Sequence, residues 1–265
     1  MDTDPCNQVT LFFPTTMPDI ATLRPVAVRT TTPTLFPHSL SVFFPAYNDA
    51  LALPALISKT FTVLHQHVAD FEVIVVNDGS ADSTGLVLES LVAEFGPRLR
   101  VITHPENRGY GGALRTGFSA ASNEFVFYTD GDGQYDVADL PALLHAITPE
   151  VGLVNGYKIA RHDPWHRKVI GAVYNQFARF LFRVRLRDID CDFRLIRRSL
   201  LTREPLRSSS GTICVELVTM LERSGMKVVE LPVSHLAREH GRSQFFRVRS
   251  LATTLVQICR LYLRR

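Results

Sequence analysis

Phe127-Tyr128-Thr129-Asp130-Gly131-Asp132-Gly133-Gln134-Tyr135-Asp136 is the stretch on which the reading of this chain turns. It continues an apolar run, Glu124 to Tyr128, that reads as a buried strand. Two carboxylates one residue apart at a strand end can hold a hard divalent cation. Mg²⁺ prefers oxygen ligands and takes one or two protein carboxylates, leaving its other positions to water and phosphate. Gly131 and Gly133 let the backbone turn tightly beside a large ligand. The stretch therefore reads either as a metal–diphosphate site or as an Asp/Gly turn between a strand and a helix. A calcium-binding EF-hand loop does not fit, because Tyr135 and Pro141 stand where Gly and Glu are needed.

Working outward, Leu40 to Phe44 reads as a first short strand, followed by the loop Pro45-Ala46-Tyr47-Asn48-Asp49 and a helical pattern from Leu51 to Val68. Glu72 to Val76 is a second strand with no polar alternation, as expected of a strand buried on both faces. Asn77-Asp78-Gly79-Ser80 ends it, and Asp82 or Ser83 can cap a helix over Leu86 to Phe95. Arg100 to Thr103, Phe125 to Tyr128 and Val151 to Val154 complete the strands of this half. Strands alternating with helices predict an α/β fold with a mostly parallel sheet. Such sheets bind ligands beyond the carboxyl ends of their strands, where the three polar clusters at 47–49, 77–80 and 130–132 fall. Further on, Ile170, Val173, Tyr174, Phe177, Leu181 and Val184 recur at helical spacing, and Lys227 to Leu231 reads as a strand.

Composition narrows the class. Of 265 residues 46% are apolar and 21% charged, which allows an ordinary globular core. The net charge of +3 is unevenly spread: Arg183 to Arg198 is arginine-rich, and no acid follows Glu239. A basic second half points to an anionic partner. Cys6, Cys191, Cys214 and Cys259 are scattered, so neither a zinc site nor a disulfide framework is indicated, and reduced thiols are expected. No apolar run approaches the ~20 residues that span a bilayer, and no secretory signal is visible. Residues 1–38 are Thr- and Pro-rich without periodicity and read as a disordered leader.

Asn107-Arg108-Gly109-Tyr110-Gly111-Gly112 follows the third strand. It is not a dinucleotide fingerprint, since Leu114 stands where the last glycine belongs. It remains either a helix start whose amides attract an anion or a close-packed start that needs small residues.

Pro45-Ala46-Tyr47-Asn48, Val75-Val76-Asn77-Asp78-Gly79-Ser80, Asn107 to Gly111, Asp130 to Gln134, Asp188-Ile189-Asp190-Cys191-Asp192-Phe193-Arg194 and Arg238-Glu239-His240-Gly241-Arg242-Ser243 occur in this order. Together they resemble the family-2 glycosyltransferases of the GT-A fold, most closely the polyprenyl-phosphate (dolichol-phosphate) mannose and glucose synthases, over residues 40–245. The resemblance implies a Rossmann-like sheet flanked by helices over 39–244 and a metal-dependent, inverting transfer of a hexose to a polyprenyl phosphate. The donor would be a UDP- or GDP-hexose. Asp78 would read the nucleobase, with Pro45, Tyr47, Asn48 and Gly109 lining the donor pocket. Asp130 and Asp132 would face the diphosphate through Mg²⁺ or Mn²⁺, with Gln134 completing the metal shell and Asp132 acting as a catalytic residue. Arg238 and Ser243 would close over the diphosphate, although Gln244 stands where family members often carry Lys. Asp188 and Asp190 would orient the acceptor, act as a base or hold their loop, and Asp192 stands where the family often has Gly. Arg161 and Arg167 lie where relatives place acceptor-phosphate arginines; the plain reading is a solvated basic loop.

Residues 245–265 form a basic amphipathic helical pattern, with Phe245, Val248, Ala252, Leu255, Cys259 and Tyr262 on one face and Arg247, Ser250, Thr254, Gln257 and Arg264 opposite. It is expected either to contact a membrane surface or to pack on the domain. A lipid acceptor implies a protein peripheral on the cytoplasmic, inner face of the membrane. Two other readings stand beside this one. The same donor chemistry could act on a glycan or glycolipid hydroxyl, with Asp188 or Asp190 as base. The chain could also be a non-catalytic nucleotide-sugar or membrane-binding module. Nucleic-acid binding is not expected, since no recognition module or interleaved aromatic motif accompanies the basic residues.

Overall fold

The computed structural model describes residues 35–159, 165–237 and 257–263, and the side chains of all of these except 165–170. The apolar runs become strands β1 (Leu40–Ala46), β2 (Phe71–Asn77), β3 (Leu99–Thr103), β4 (Phe125–Thr129), β5 (Val151–Ile159), β6 (Phe193–Arg197) and β7 (Lys227–Ser234). They form one seven-stranded sheet in the order β3-β2-β1-β4-β6-β5-β7. Only β6 runs against its neighbours β4 and β5; the other pairs are parallel.

Helices α1 (Leu53–His67), α2 (Thr84–Phe95) and α4 (Leu140–His145) pack on one face of the sheet. Helices α3 (Tyr110–Ala120), α5 (Trp165–Phe182) and α7 (Thr212–Arg223) pack on the other, and a short α6 (Arg198–Leu201) follows β6. The division follows from strand alternation: Phe125 and Phe127 of β4 belong to the first core, Val126 and Tyr128 to the second. In α1, Leu53, Leu56, Ile57, Thr60, Phe61 and Leu64 make the buried stripe, and Pro54 lies in the first turn, where its missing N–H costs nothing. The chain winds outward through β1, β2 and β3, then returns across the opposite face to place β4 beside β1. The gap between the carboxyl ends of β1 and β4 is thus the topological switch point, where such sheets take their ligands.

Several expectations need correction. Phe36, assigned to the leader, is only 7% exposed; its N–H donates to the His67 carbonyl at 2.7 Å and its ring meets Phe125 edge-on. A single anchoring ring has no periodicity by which to be found. β5 runs on to Ile159 because β7 pairs along its length. Ser83 is the N-cap residue of α2 but makes no side-chain cap bond; the carboxylate of Asp82 before it accepts from the Thr84 N–H at 3.0 Å.

The face of α5 is also different. Tyr174 and Leu181 lie against the core as expected, but Val173 and Phe177 are exposed, and Ala178 and Phe182 are buried instead. Helix α8 (residues 257–263) buries Ile258 in the second core, while Cys259, assigned to the apolar face, is exposed. Gln257, assigned to the polar face, bonds Ser209 and Ser210. This stretch packs on the domain, and the remainder of 245–265 lies outside the described residues. Among the described residues no helix is long and apolar enough to cross a membrane.

Candidate active site

The three polar clusters meet at the switch point. Asp78, at the end of β2, is 3% exposed and its N–H donates to the Ala46 carbonyl at 2.9 Å. One carboxylate oxygen, Oδ1, takes two contacts: His104 Nδ1 at 2.6 Å and the Arg108 backbone N–H at 2.8 Å. His104 Nε2 lies 2.9 Å from Thr116 Oγ1. A Nδ1–H tautomer, donating to Asp78 and accepting from Thr116, satisfies both nitrogens. The carboxylate is thereby fixed in orientation just beyond the end of β2. Asn48, at a φ of 58°, accepts from the Ala81 and Asp82 N–H groups at 2.8 and 3.3 Å, and its own N–H donates to Ser80 Oγ at 3.0 Å. It cross-links the loops after β1 and β2, with half-buried Tyr47 beside it. Pro45 is buried, and its carbonyl accepts from the Gly131 N–H at 3.2 Å. A Cβ on Gly131 would lie 2.6 Å from that carbonyl oxygen, so only glycine permits this approach of β4 to β1.

The glycines at the start of α3 serve packing. The Gly111 N–H donates to the Ser209 carbonyl at 3.0 Å, and a Cβ at Gly111 would collide with the Ser208–Ser209 backbone. The Gly109 N–H donates to Asn107 Oδ1 at 3.0 Å, and Arg115 donates to the Arg207 and Ser208 carbonyls. The close-packed reading of this helix start is the one these bonds support.

Asp130 lies at the floor of the cleft, where the Tyr110 hydroxyl donates to it at 2.7 Å. Burial, then the charges of Asp192 and Asp132, push its carboxyl well above the usual carboxylate range. Crowded acids of this kind are relieved by a cation, so the residues fit a divalent metal. Asp132 accepts from the Gln134 N–H at 3.0 Å. The Gln134 side chain donates to the Leu236 carbonyl at 3.3 Å, and the Leu236 N–H donates to the Gln134 carbonyl at 2.7 Å. Gln134 thus ties the segment after β7 over the Asp-Gly turn, with His235 edge-on to Tyr135 beneath. Among the described residues no group of three or more His, Cys, Asp or Glu is arranged to hold a metal ion. Asp192 is a neighbouring charge whose oxygens are directed elsewhere, which leaves the two-carboxylate pattern typical of Mg²⁺.

Because β6 is antiparallel, its first residue, Phe193, pairs with Thr129 at the end of β4, and the loop 188–192 arrives beside Asp130. Asp192 Oδ1 accepts from the Tyr128 hydroxyl at 3.0 Å and from Arg194 Nη1 at 2.8 Å, with Cys214 Sγ 3.2 Å away. Arg194 is fully buried. It donates through Nε to Asn155 Oδ1 at 2.7 Å and through its terminal nitrogens to Tyr128 and the Ile189 carbonyl. Asp192 is thus the counter-charge of a buried guanidinium. Asp188 accepts from the Asp190 N–H at 3.1 Å and the Lys158 N–H at 3.4 Å. Lys158 Nζ donates to the Asp190 carbonyl at 2.5 Å and stands 4.0 Å from Asp188 Oδ2. These bonds support a loop-holding role for Asp188. Burial raises the Asp190 carboxyl to about 7, against the opposing charge of Lys158.

The structure therefore brings together Pro45, Tyr47, Asn48, Asp78, Asp130, Asp132, Gln134, Asp188 and Asp190 along one edge of the sheet. Arg161, Arg238 and Ser243 lie outside the described residues, and Arg167 lies in α5 with its side chain outside them. His104, Tyr110 and Lys158 were not singled out from the sequence. A histidine directly after a strand, in the position to face the preceding strand's terminal acid, was the available signal for the first.

Comparison with known proteins agrees with this arrangement. The profile of Glycosyl transferase family 2 matches residues 41–203. The chain is 28% identical over 206 residues to undecaprenyl-phosphate 4-deoxy-4-formamido-L-arabinose transferase of Aeromonas hydrophila, covering 78% of this chain and 62% of that protein. This chain therefore spans less than two thirds of that relative's length. It is 29% identical over 231 residues to polyprenol monophosphomannose synthase of Mycolicibacterium smegmatis, covering 83% of each chain. Among solved structures, glucosyl-3-phosphoglycerate synthase of Mycobacterium tuberculosis, in complex with Mn²⁺, UDP and glucosyl-3-phosphoglycerate, superposes with a TM-score of 0.60 at 19% identity, over 86% of this chain and 79% of that one. A mannosyltransferase of Pyrobaculum calidifontis, in complex with GDP-Man and Mn²⁺, gives 0.58 at 22% identity, over 84% and 64%. These likenesses show the shared GT-A fold. With the paired carboxylates at the switch point, the ordered motifs and a family match across most of the domain, the chain belongs to glycosyl transferase family 2.

Proposed function

We propose that the protein transfers a hexose from a nucleotide-sugar to a polyprenyl phosphate, with inversion at the anomeric carbon, at the cytoplasmic face of a membrane. The observation that carries the reading is the pairing of Asp130 and Asp132 with the anchored Asp78 at one switch point. Asp78 accepts a hydrogen bond from a ring N–H of the base. Asp130 and Asp132 hold Mg²⁺ or Mn²⁺, which when bound neutralises charge on the diphosphate. Tyr110 keeps the Asp130 carboxylate oriented. A phosphate oxygen of the acceptor forms the new bond to the anomeric carbon as the bond to the donor β-phosphate breaks, and the electron pair leaves with the nucleoside diphosphate. A phosphate monoester carries roughly −1.5 to −2 charge at neutral pH, so this attack needs no strong base, only positioning and charge stabilisation. Arg161, Arg167 and Lys158 supply positive charge on the acceptor side, and Arg238 with Ser243 closes over the diphosphate. The likeness to an arabinose transferase and a mannose synthase named for lipid-phosphate acceptors supports this choice of acceptor.

The test is transfer by purified protein with Mg²⁺ or Mn²⁺, a short polyprenyl phosphate and a panel of nucleotide-sugars, with Asp132→Asn as control. One donor should give a metal-dependent glycolipid that the variant does not make. Absence of donor binding would overturn the catalytic reading.

A second reading, transfer to a hydroxyl, is favoured by Asp190, whose carboxyl at about 7 is matched to general-base work. Asp190→Asn would then abolish transfer to a hydroxyl acceptor while leaving donor binding intact, whereas transfer to a phosphate would survive.

A further inference from the structure

Helix α5 has two apolar sides. One carries Ala178 and Phe182, buried against the second core. The other carries Val173, Phe177 and Phe180, which are 65%, 46% and 83% exposed. Their spacing of four and three residues sets them in one stripe along the helix. A helix face turned to water is ordinarily polar, and three large apolar side chains in register are costly to leave there. On the opposite side of α5, Tyr262 of α8 meets Phe182 edge-on with ring centroids 6.3 Å apart, so α8 packs against the inner side and the outer stripe belongs to α5 itself.

The charge around this face has one sign. From Trp165 to Arg187 the sequence holds no acidic residue. Arg183, Arg185 and Arg187 follow the stripe and are exposed, unlike Arg194, which belongs to the same arginine-rich stretch and is wholly buried. Glu222 accepts from the Arg185 and Leu186 N–H groups and Glu230 from the Arg187 N–H; on the inner side, Glu216 accepts from the Arg207 and Ser208 N–H groups, and Glu204 lines the same cavity beside Phe182. A second copy of the chain would bring one arginine rim against the other, and like charges across an interface are unfavourable. An apolar stripe on an acid-free helix, bordered by arginines, complements a surface that is apolar beneath and negative at its headgroups.

We propose that the outer face of α5, with the rim of Arg183, Arg185 and Arg187, docks the protein on the anionic surface of a lipid bilayer. The inference rests on the proposed lipid-phosphate acceptor for its purpose: β5 ends beside Asp188 and Asp190, and α5 is the next helix along the chain. The arginine rim at 183–187 leads directly into Asp188 and Asp190, so docking there brings headgroups next to the loop proposed to face the acceptor.

The test is flotation of the full chain with phosphatidylcholine vesicles, with and without phosphatidylglycerol, and transfer to a short, water-soluble polyprenyl phosphate without vesicles. Wild type should float with the anionic vesicles, less so as salt is raised. Phe177→Ser/Phe180→Ser should bind them at least ~10-fold more weakly. Arg183→Gln/Arg185→Gln/Arg187→Gln should lose the salt-sensitive part of the binding. Both variants should keep wild-type circular dichroism, and vesicle-free transfer at the wild-type rate. Vesicle binding that both variants retain would overturn the proposal, as would wild type that never floats. A concentration-dependent dimer in light scattering, abolished by the phenylalanine changes, would assign the face to self-association and overturn it too. Wild type that floats, with variants that do not, upholds the docking surface even if no glycolipid forms, in which case the acceptor reading alone fails.

Discussion

The two walls of the cleft are built differently. The wall proposed to face the base, from the loops after β1, β2 and β3, is held by separate hydrogen bonds in which side chains such as Asn48 and His104 pin a neighbouring loop. The acceptor-side wall, residues 188–194, is held by a buried charge network joining Asn155, Tyr128, Asp192 and Arg194 across three strands. The first kind of wall is a set of separate bonds and tolerates loss piecemeal. The second is one connected buried network, and a single deletion strands a buried charge.

The largest effect is expected at the floor the walls share. Asp130→Asn should lower transfer by roughly 10³-fold or more while leaving the urea midpoint close to wild type or higher, because a crowded carboxylate is removed. A variant with unchanged turnover would separate the dyad from the chemistry. Next, Arg194→Met should cost about 3–5 kcal/mol in urea unfolding by leaving Asp192 buried and unpaired. The double change with Asp192→Asn should recover part of that loss, and strict additivity would mean that the pair is not coupled.

The base-side wall should yield less. His104→Gln should weaken nucleoside diphosphate binding about 10-fold in calorimetry, in line with one charge-assisted bond, with kcat preserved. A fall in kcat with unchanged affinity would move His104 out of the base pocket.

The smallest effect is a pH dependence. The Asp190 carboxyl sits at about 7 in the folded protein, against about 3.9 for a free aspartate. Between those values the folded state keeps a proton that the unfolded chain has lost, so stability falls as pH rises through this window and the penalty is complete above 7. Asp190→Asn should therefore be more stable than wild type at pH 8, by on the order of 1–2 kcal/mol, since water reaches part of the group. The two should converge near pH 4. Identical urea midpoints at pH 8 would break the contrast between this wall and the other.

Separation along the sequence explains which features could be read from it. Long apolar runs such as Val73 to Val76 and the helical stripe of α1 are local signals, and both elements stand close to where they were read. The carboxylates at the strand ends were legible for the same reason, since a turn follows a strand in sequence as it does in space. The role of Arg194 was not, because its partners Tyr128 and Asn155 lie 66 and 39 residues away and nothing local separates it from Arg187. The inner face of α5 was misread because Val173 and Phe177 are as apolar as Phe182, and periodicity cannot say which of two apolar sides meets the core. Ile258 and Cys259 pose the same ambiguity one residue apart.

The reversed strand β6 carries a consequence of its own. It is the seam between the two walls: everything before β5 completes the carboxylate floor and the base pocket, while the segment from β5 to the start of β6 leaves the sheet and returns at the same edge. The acceptor wall is therefore an excursion with both ends fastened to the sheet. Transplanting residues 156–191 from a relative of different acceptor preference should redirect the enzyme's product without retuning its donor, provided that Asn155, Asp192 and Arg194 stay behind as the clasp. Members of such a family can diversify by exchanging a cassette rather than by rebuilding a site.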